Sequence, residues 1–129
     1  MTTVANTAKN IGARDGSVQS IVWGPLTTTN LDGAWVDCAD FADKTFQADG
    51  TFGAAGSIAI QGSNDEAMPT TNLWPVTKAG TSTAMAFTVL GGGTANENPR
   101  WVRPILSGGD GTTAVNVKLV ARRATPLRT

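Results

Sequence analysis

The sequence predicts an all-β fold: a single-domain β-sandwich of about eight short strands, with the jelly roll as one variant. Three observations lead there. The composition favours turns and strands, with 15 glycines, 6 prolines, abundant Thr, Ala and Val, and no tyrosine. Runs of strand length with alternating sides recur between turn signals. No stretch sustains a helical period over three turns. With no helix to cover a sheet, two sheets packed face to face are the simplest way to bury these strands, and a small barrel is the alternative. The 129 residues amount to one domain, a length at which a single core buries roughly two-thirds of the unfolded chain's surface.

Residues 1–16 lack sustained periodicity and end in the turn-like Asp15-Gly16, so they read as a flexible arm or a first edge strand. The sandwich domain spans 17–123 and a tail follows over 124–129. SVQSIVWG (17–24) is a strand with apolar residues on both faces, ended by Pro25, which has no ladder donor. Residues 27–33 form a polar loop, and AWVDCAD (34–40) sets Ala34, Val36 and Cys38 against Trp35 and Asp37. KTFQA (44–48) is closed by Asp49-Gly50, a hairpin-turn dipeptide, and the DGT at 49–51 recurs at 110–112 as a hint of similar turns.

Gly53 and Gly56 bracket a bend, and SIAIQGS (57–63) turns Ile58 and Ile60 to one face. NLWPV (72–76) holds Pro75 and therefore belongs at a sheet edge. AMAFTVL (84–90) alternates Met85, Phe87 and Val89 with Ala84, Ala86 and Thr88, and Gly91-Gly92-Gly93 opens a loop running to Pro99. RWVRPIL (100–106) is a further strand, again with a proline, and Gly108-Gly109-Asp110-Gly111 is the clearest turn. TAVNVKLVA (113–121) is the clearest strand, with Val115, Val117, Leu119 and Ala121 inward and Asn116 and Lys118 outward. Ile58, Ile60, Phe87, Val115 and Val117 are the expected filling of the interior.

Ten basic and ten acidic residues cancel. A nucleic-acid binder draws most of its affinity from phosphate neutralisation and normally carries net positive charge, so neutrality argues against that partner and against an anionic membrane surface. No apolar run approaches bilayer length. The polar N-terminus does not read as a secretory signal, and a lone Cys38 forms no intrachain disulfide, which together fit synthesis in a reducing cytoplasm. The chain has no histidine and one cysteine, which removes the Ser-His-Asp, Cys-His and histidine-zinc arrangements. Paired carboxylates remain conceivable chemically, but Asp65 and Glu66 on a strand would point to opposite faces, and Asp32, Asp37, Asp40 and Asp43 read as a solvated rim. The EF-hand spacing for calcium is not met. The expectation is a non-enzymatic chain with no catalytic residue, no metal and no cofactor. Cys38, within an apolar strand, reads as a small buried hydrophobe.

Two features are left as candidate binding features. The first is charge asymmetry. Arg100, Arg103, Arg122, Arg123 and Arg128 are half of the ten basic residues, while the segment from 32 to 49 holds Asp32, Asp37, Asp40, Asp43 and Asp49 against Lys44 alone. Arg100, Arg103, Arg122, Arg123, Arg128, Asp37, Asp40 and Asp43 are therefore candidate subunit-interface residues, a basic end meeting an acidic end. A solvated surface is the plainer reading. The second is the set of four tryptophans, Trp23, Trp35, Trp74 and Trp101. Most are expected in the core, with Trp35 and Trp74 as candidate exposed aromatics for a sugar or a protein partner.

KTFQADGTFGAAGSIAIQGSNDE (44–66), LWPVT (73–77) and ENPRWVRPILSGGDGTTAVNVKLVARR (97–123) together resemble small virion structural proteins of tailed bacteriophages, the head decoration or cement proteins. The likeness covers roughly residues 17–123 and lies in the succession of strands and turns, so it brings no active-site residues with it. It implies a capsid-surface subunit, made in the host cytoplasm, whose partners are the major capsid protein and copies of itself as a dimer or trimer, with no nucleic acid and no membrane. A carbohydrate- or receptor-binding sandwich module of a tail or head fibre is the alternative, and a tail or neck protein is a further one.

Overall fold

Ten strands form two antiparallel sheets in a computed structural model, which describes residues 3–11 and 18–123. They are β1 (Asn6–Asn10), β2 (Val18–Leu26), β3 (Val36–Asp37), β4 (Asp43–Thr51), β5 (Ser57–Ser63), β6 (Trp74–Pro75), β7 (Ala86–Phe87), β8 (Gly91–Thr94), β9 (Trp101–Ser107) and β10 (Ala114–Arg122). The first sheet runs β1-β2-β10-β4-β8 and the second β3-β9-β5-β6, with β7 also on β5. The fold is the expected β-sandwich, and no helix occurs among the described residues. Residues 1–2, 12–17 and the tail at 124–129, with Arg128, lie outside the described residues.

Alternation places the core. β10 buries Val115, Val117, Leu119 and Ala121 and leaves Lys118 exposed, between β2 and β4 at the centre of its sheet. Trp23 and Ile21 of β2 and Phe46 and Ala48 of β4 extend that layer. Ile58 and Ile60 of β5, Val102 and Leu106 of β9, with Val76, Met85 and Phe87, close it from the opposite sheet. Removing these side chains from water supplies the main driving force, at roughly 25 cal/mol per Å² of apolar surface.

Several local expectations are corrected. Pro25 does not end β2. The strand continues to Leu26, because a bulge sets Gly24 and Pro25 together against Asn116, so the missing donor falls where the ladder is already broken. Asp49-Gly50 is not a hairpin turn, since β4 runs through it to Thr51 in register with β10. Gly50 adopts φ +121° there, and a Cβ would stand 2.3 Å from the carbonyl oxygen of Ala114. The glycine serves close strand approach, so the two DGT segments are not equivalent turns. The 34–40 strand shrinks to β3.

The 84–90 strand shrinks to β7, and Val89 and Leu90 stand out at 69% exposure each. The expected loop at 91–93 is instead β8, on Phe46 to Ala48 of β4. Pro104 fits within β9 because its flank faces not a full strand but the loop at 31–34, whose Gly33 donates its N–H to the Pro104 oxygen at 2.9 Å.

Candidate functional site

One end of the sandwich gathers most of the candidate charges. β3 enters it at Asp37, a tight turn over 38–41 follows, and β4 leaves it at Asp43. The turn closes through the Phe41 N–H to the Cys38 oxygen at 3.0 Å. β9 begins there after Arg100, whose carbonyl accepts the Cys38 N–H. β10 ends there with Arg122 opposite Asp43 in register. A depression of about 500 Å³ opens at this end, lined by Cys38, Asp40, Phe41, Asn64, Asn98 and Arg100 among others.

The arginines and aspartates therefore do not form separate acidic and basic ends. Antiparallel pairing of β3 with β9 and of β4 with β10 interleaves them. Arg100 meets Asp37 at 3.4 Å, with both side chains substantially exposed. Such a surface pair contributes little stability, about 0–1 kcal/mol. The Arg100 guanidinium also lies 5.5 Å from the Trp101 ring centroid, and that of Arg123 lies 5.9 Å from Phe41. Nε of Arg100 and of Arg123 are buried without a hydrogen-bond partner among the described residues. Asp40, Asp43 and Arg122 are exposed. Arg103 departs from the group. It lies on the outer side of the second sheet, 3.6 Å from Asp32, bonded to Gln61 at 2.9 Å and stacked 4.6 Å above Trp35.

The tryptophans are more occupied than expected. Trp35 and Trp74 are half-buried rather than exposed. Arg103 covers a face of Trp35, and Trp74 packs against the core. Trp23 is fully buried and donates Nε1–H to Ala34 O at 2.9 Å, and Trp101 donates to Asp65 O at 2.8 Å. Each buried indole thus finds an acceptor.

The residue that sequence reasoning passed over is Lys44. It is 0% exposed, at an inward position of β4 in phase with Phe46 and Ala48. Its Nζ donates to Phe41 O at 3.0 Å and to Asn98 Oδ1 at 3.2 Å, tying the turn below the depression to the loop before β9. Burial among neutral acceptors lowers its pKa from the ordinary 10.5. Burial also pushes the Cys38 thiol up to about 12, so it remains a protonated core group. The signal was present in the alternation Lys44-Thr45-Phe46-Gln47-Ala48, where parity puts the lysine on the apolar face. Among the described residues no group of three or more Cys, Asp and Glu side chains is arranged to hold a metal ion. The arrangement as a whole offers ionic and hydrogen-bonding contact around a shallow recess. No family model, curated protein or solved structure matches this chain.

Proposed function

We propose that this chain is a non-enzymatic structural protein of a phage virion, a capsid decoration or cement subunit that reinforces the head shell by subunit contact. The observation that carries the reading is the mixed-charge end of the sandwich: Asp40 and Arg100 line an open depression, and exposed Asp43, next in the chain to the lining Ala42, lies opposite exposed Arg122. Interleaved charges of both signs around a recess suit a polar rim that fixes the orientation of a protein partner. The apolar residues of the strands fill the interior, and Val89 and Leu90 at the β7–β8 loop add an exposed apolar contact. The partners in this reading are the major capsid protein and further copies of this chain on the capsid surface. The work is mass action: a subunit that binds the assembled shell and not its separated parts shifts assembly towards the shell.

The alternative, a carbohydrate- or receptor-binding module, calls for an aromatic face open to a sugar ring, and Arg103 already lies over Trp35. The test is co-sedimentation of the purified chain with capsids stripped of their native decoration protein, beside separated capsid subunits. Retention on shells, with a higher shell melting temperature and loss of retention in Asp40→Lys/Asp43→Lys, supports the reading. Absence of retention overturns it, and capture by a glycan surface would favour the alternative.

A further inference from the structure

We infer that β1 is a self-complementary sheet edge, through which two copies of this chain join as a two-fold dimer with a continuous sheet across both sandwiches. The backbone geometry carries this. Ile11 donates its N–H to Val18 O at 3.1 Å, which makes Ile11–Val18 a bonded pair of the β1–β2 ladder. By alternation, Lys9–Ser20 and Thr7–Val22 are bonded pairs too, and Asn6, Ala8 and Asn10 turn their N–H and C=O groups away from β2. Val4 continues the same parity, and its outward groups are used: its N–H donates to Asp32 O and its C=O accepts from Ala34, both at 2.8 Å. Among the described residues nothing pairs with the outward groups of Asn6, Ala8 and Asn10.

The other sheet edges offer less. On β8, the Ala95 N–H bonds Lys44 O, so Gly92 and Thr94 point outward, and Thr94 O already accepts from Ala79 at 2.8 Å. β3, β6 and β7 are two residues each. Very short or covered edges are protected against pairing, whereas five residues without proline or bulge form a template.

The sequence of β1 selects the occupant. An antiparallel second copy can bond only through its own outward residues, and each choice of register sets a different residue on the two-fold axis. Centring on Lys9 would oppose the two lysines. Centring on Thr7 would require the groups of Val4 that are already bonded. Centring on Ala8 pairs Asn6 with Asn10 of the second copy, Ala8 with Ala8, and Lys9 with Thr7, which engages every outward group and opposes no like charges. Ala8 lies opposite inward-facing Ile21, yet it is exposed, so β1 overhangs the second sheet and leaves room for a neighbour. Ile11, 50% exposed, falls beside Ala5 of the second copy at the end of the pairing. The contact is isologous and closes on itself, so it consumes the edge without propagating a fibre.

This surface does not depend on the virion reading, and its test uses the purified full chain without capsids. Sedimentation equilibrium is expected to show a monomer–dimer equilibrium. Ala8→Pro removes an N–H that points away from β2 and so abolishes the dimer while preserving the fold. A second variant reports register without relying on proline. Bonded antiparallel pairs have Cα atoms about 5.5 Å apart, within disulfide range. Ala8→Cys is therefore expected to cross-link two chains on mild oxidation, and Lys9→Cys to remain uncross-linked. A chain that stays monomeric at every concentration, a dimer that survives Ala8→Pro, or cross-linking through Lys9→Cys in place of Ala8→Cys would each overturn the inference.

Discussion

Gly33 and Pro104 are in contact so close that no side chain fits between them. The Gly33 N–H bonds the Pro104 oxygen, and a Cβ on Gly33 would stand 2.6 Å from both Cγ and Cδ of the proline and 2.8 Å from Cδ1 of Trp23. The proline ring and the buried indole are both rigid. The contact also lets Pro104 sit within β9, because the 31–34 loop approaches its donorless flank.

Gly33→Ala should therefore destabilise the fold by about 1–3 kcal/mol, the range expected for overpacking against groups that do not yield. Chemical denaturation of the single variant measures it. An unchanged midpoint would show that the loop moves aside freely.

Much of the architecture was legible because it rests on alternation. β5 and β10 each bury one side of a regular pattern, and Ile58, Ile60, Val115 and Val117 all point inward. What was not legible depended on partners distant in sequence. Gly91 to Gly93 carry no strand propensity, yet β8 forms because side-chain-free residues can lie close on β4: a Cβ on Gly92 would stand 3.2 Å from Phe46 O. Gly50 reads as a turn residue until β10 lies against it. The charge segregation along the chain was real, but pairing of β3 with β9 and of β4 with β10 folds the two halves together, so its spatial meaning is the opposite of its linear one. Lys44 was visible in parity and was obscured by the general rule that lysine is exposed.

The centrality of β10 has a direct consequence at Val117, which is fully buried between Trp23 and Ala48 in the ladder. Val117→Ala deletes two methyl groups from a layer held on both sides. A loss of about 1–3 kcal/mol is expected from transfer and cavity formation together. Urea denaturation with an unchanged slope would report it, and a loss near zero would mean the layer collapses into the space.

Lys44 and Cys38 should give stability an opposed alkaline dependence. The folded lysine has a pKa below its ordinary 10.5, so just below that pH the unfolded chain binds more protons and stability rises with pH. The folded thiol lies near 12 against an ordinary 9.0, so between these values the unfolded chain binds fewer protons and stability falls with pH. Cys38→Ala is expected to expose the lysine's rise, and Lys44→Met to leave only the decline. Denaturation midpoints from neutral pH to about pH 11 test this. Identical profiles for the two variants would contradict it.

On the acid side three carboxylates have lowered pKa values, Asp49, Glu97 and Asp110, and the last two clamp loops. Asp110 accepts the Thr112 hydroxyl at 2.6 Å, the Ala54 N–H at 2.9 Å and the Thr112 N–H at 2.9 Å, joining the 108–111 turn to the bend after β4. Thr113 reinforces the junction through its hydroxyl to Phe52 O at 3.0 Å. Glu97 accepts the Thr77 hydroxyl at 2.5 Å and the Thr77 N–H at 2.7 Å, holding the segment after β8. In both cases hydrogen bonds to the charged form depress the pKa, led by the side-chain hydroxyl. The folded state then binds fewer protons than the unfolded one. Their stabilisation is complete above the ordinary values of 3.8 and 4.5 and is lost as pH falls through the lower folded values. Asp110→Asn and Glu97→Gln cannot titrate, so each should flatten the acid limb of stability against pH. The two clamps share no bonding partner, so the double variant should flatten it by the sum of the single effects. Acid titrations followed by tryptophan fluorescence measure this, and an acid limb equally steep in all variants would place the acid sensitivity in other groups.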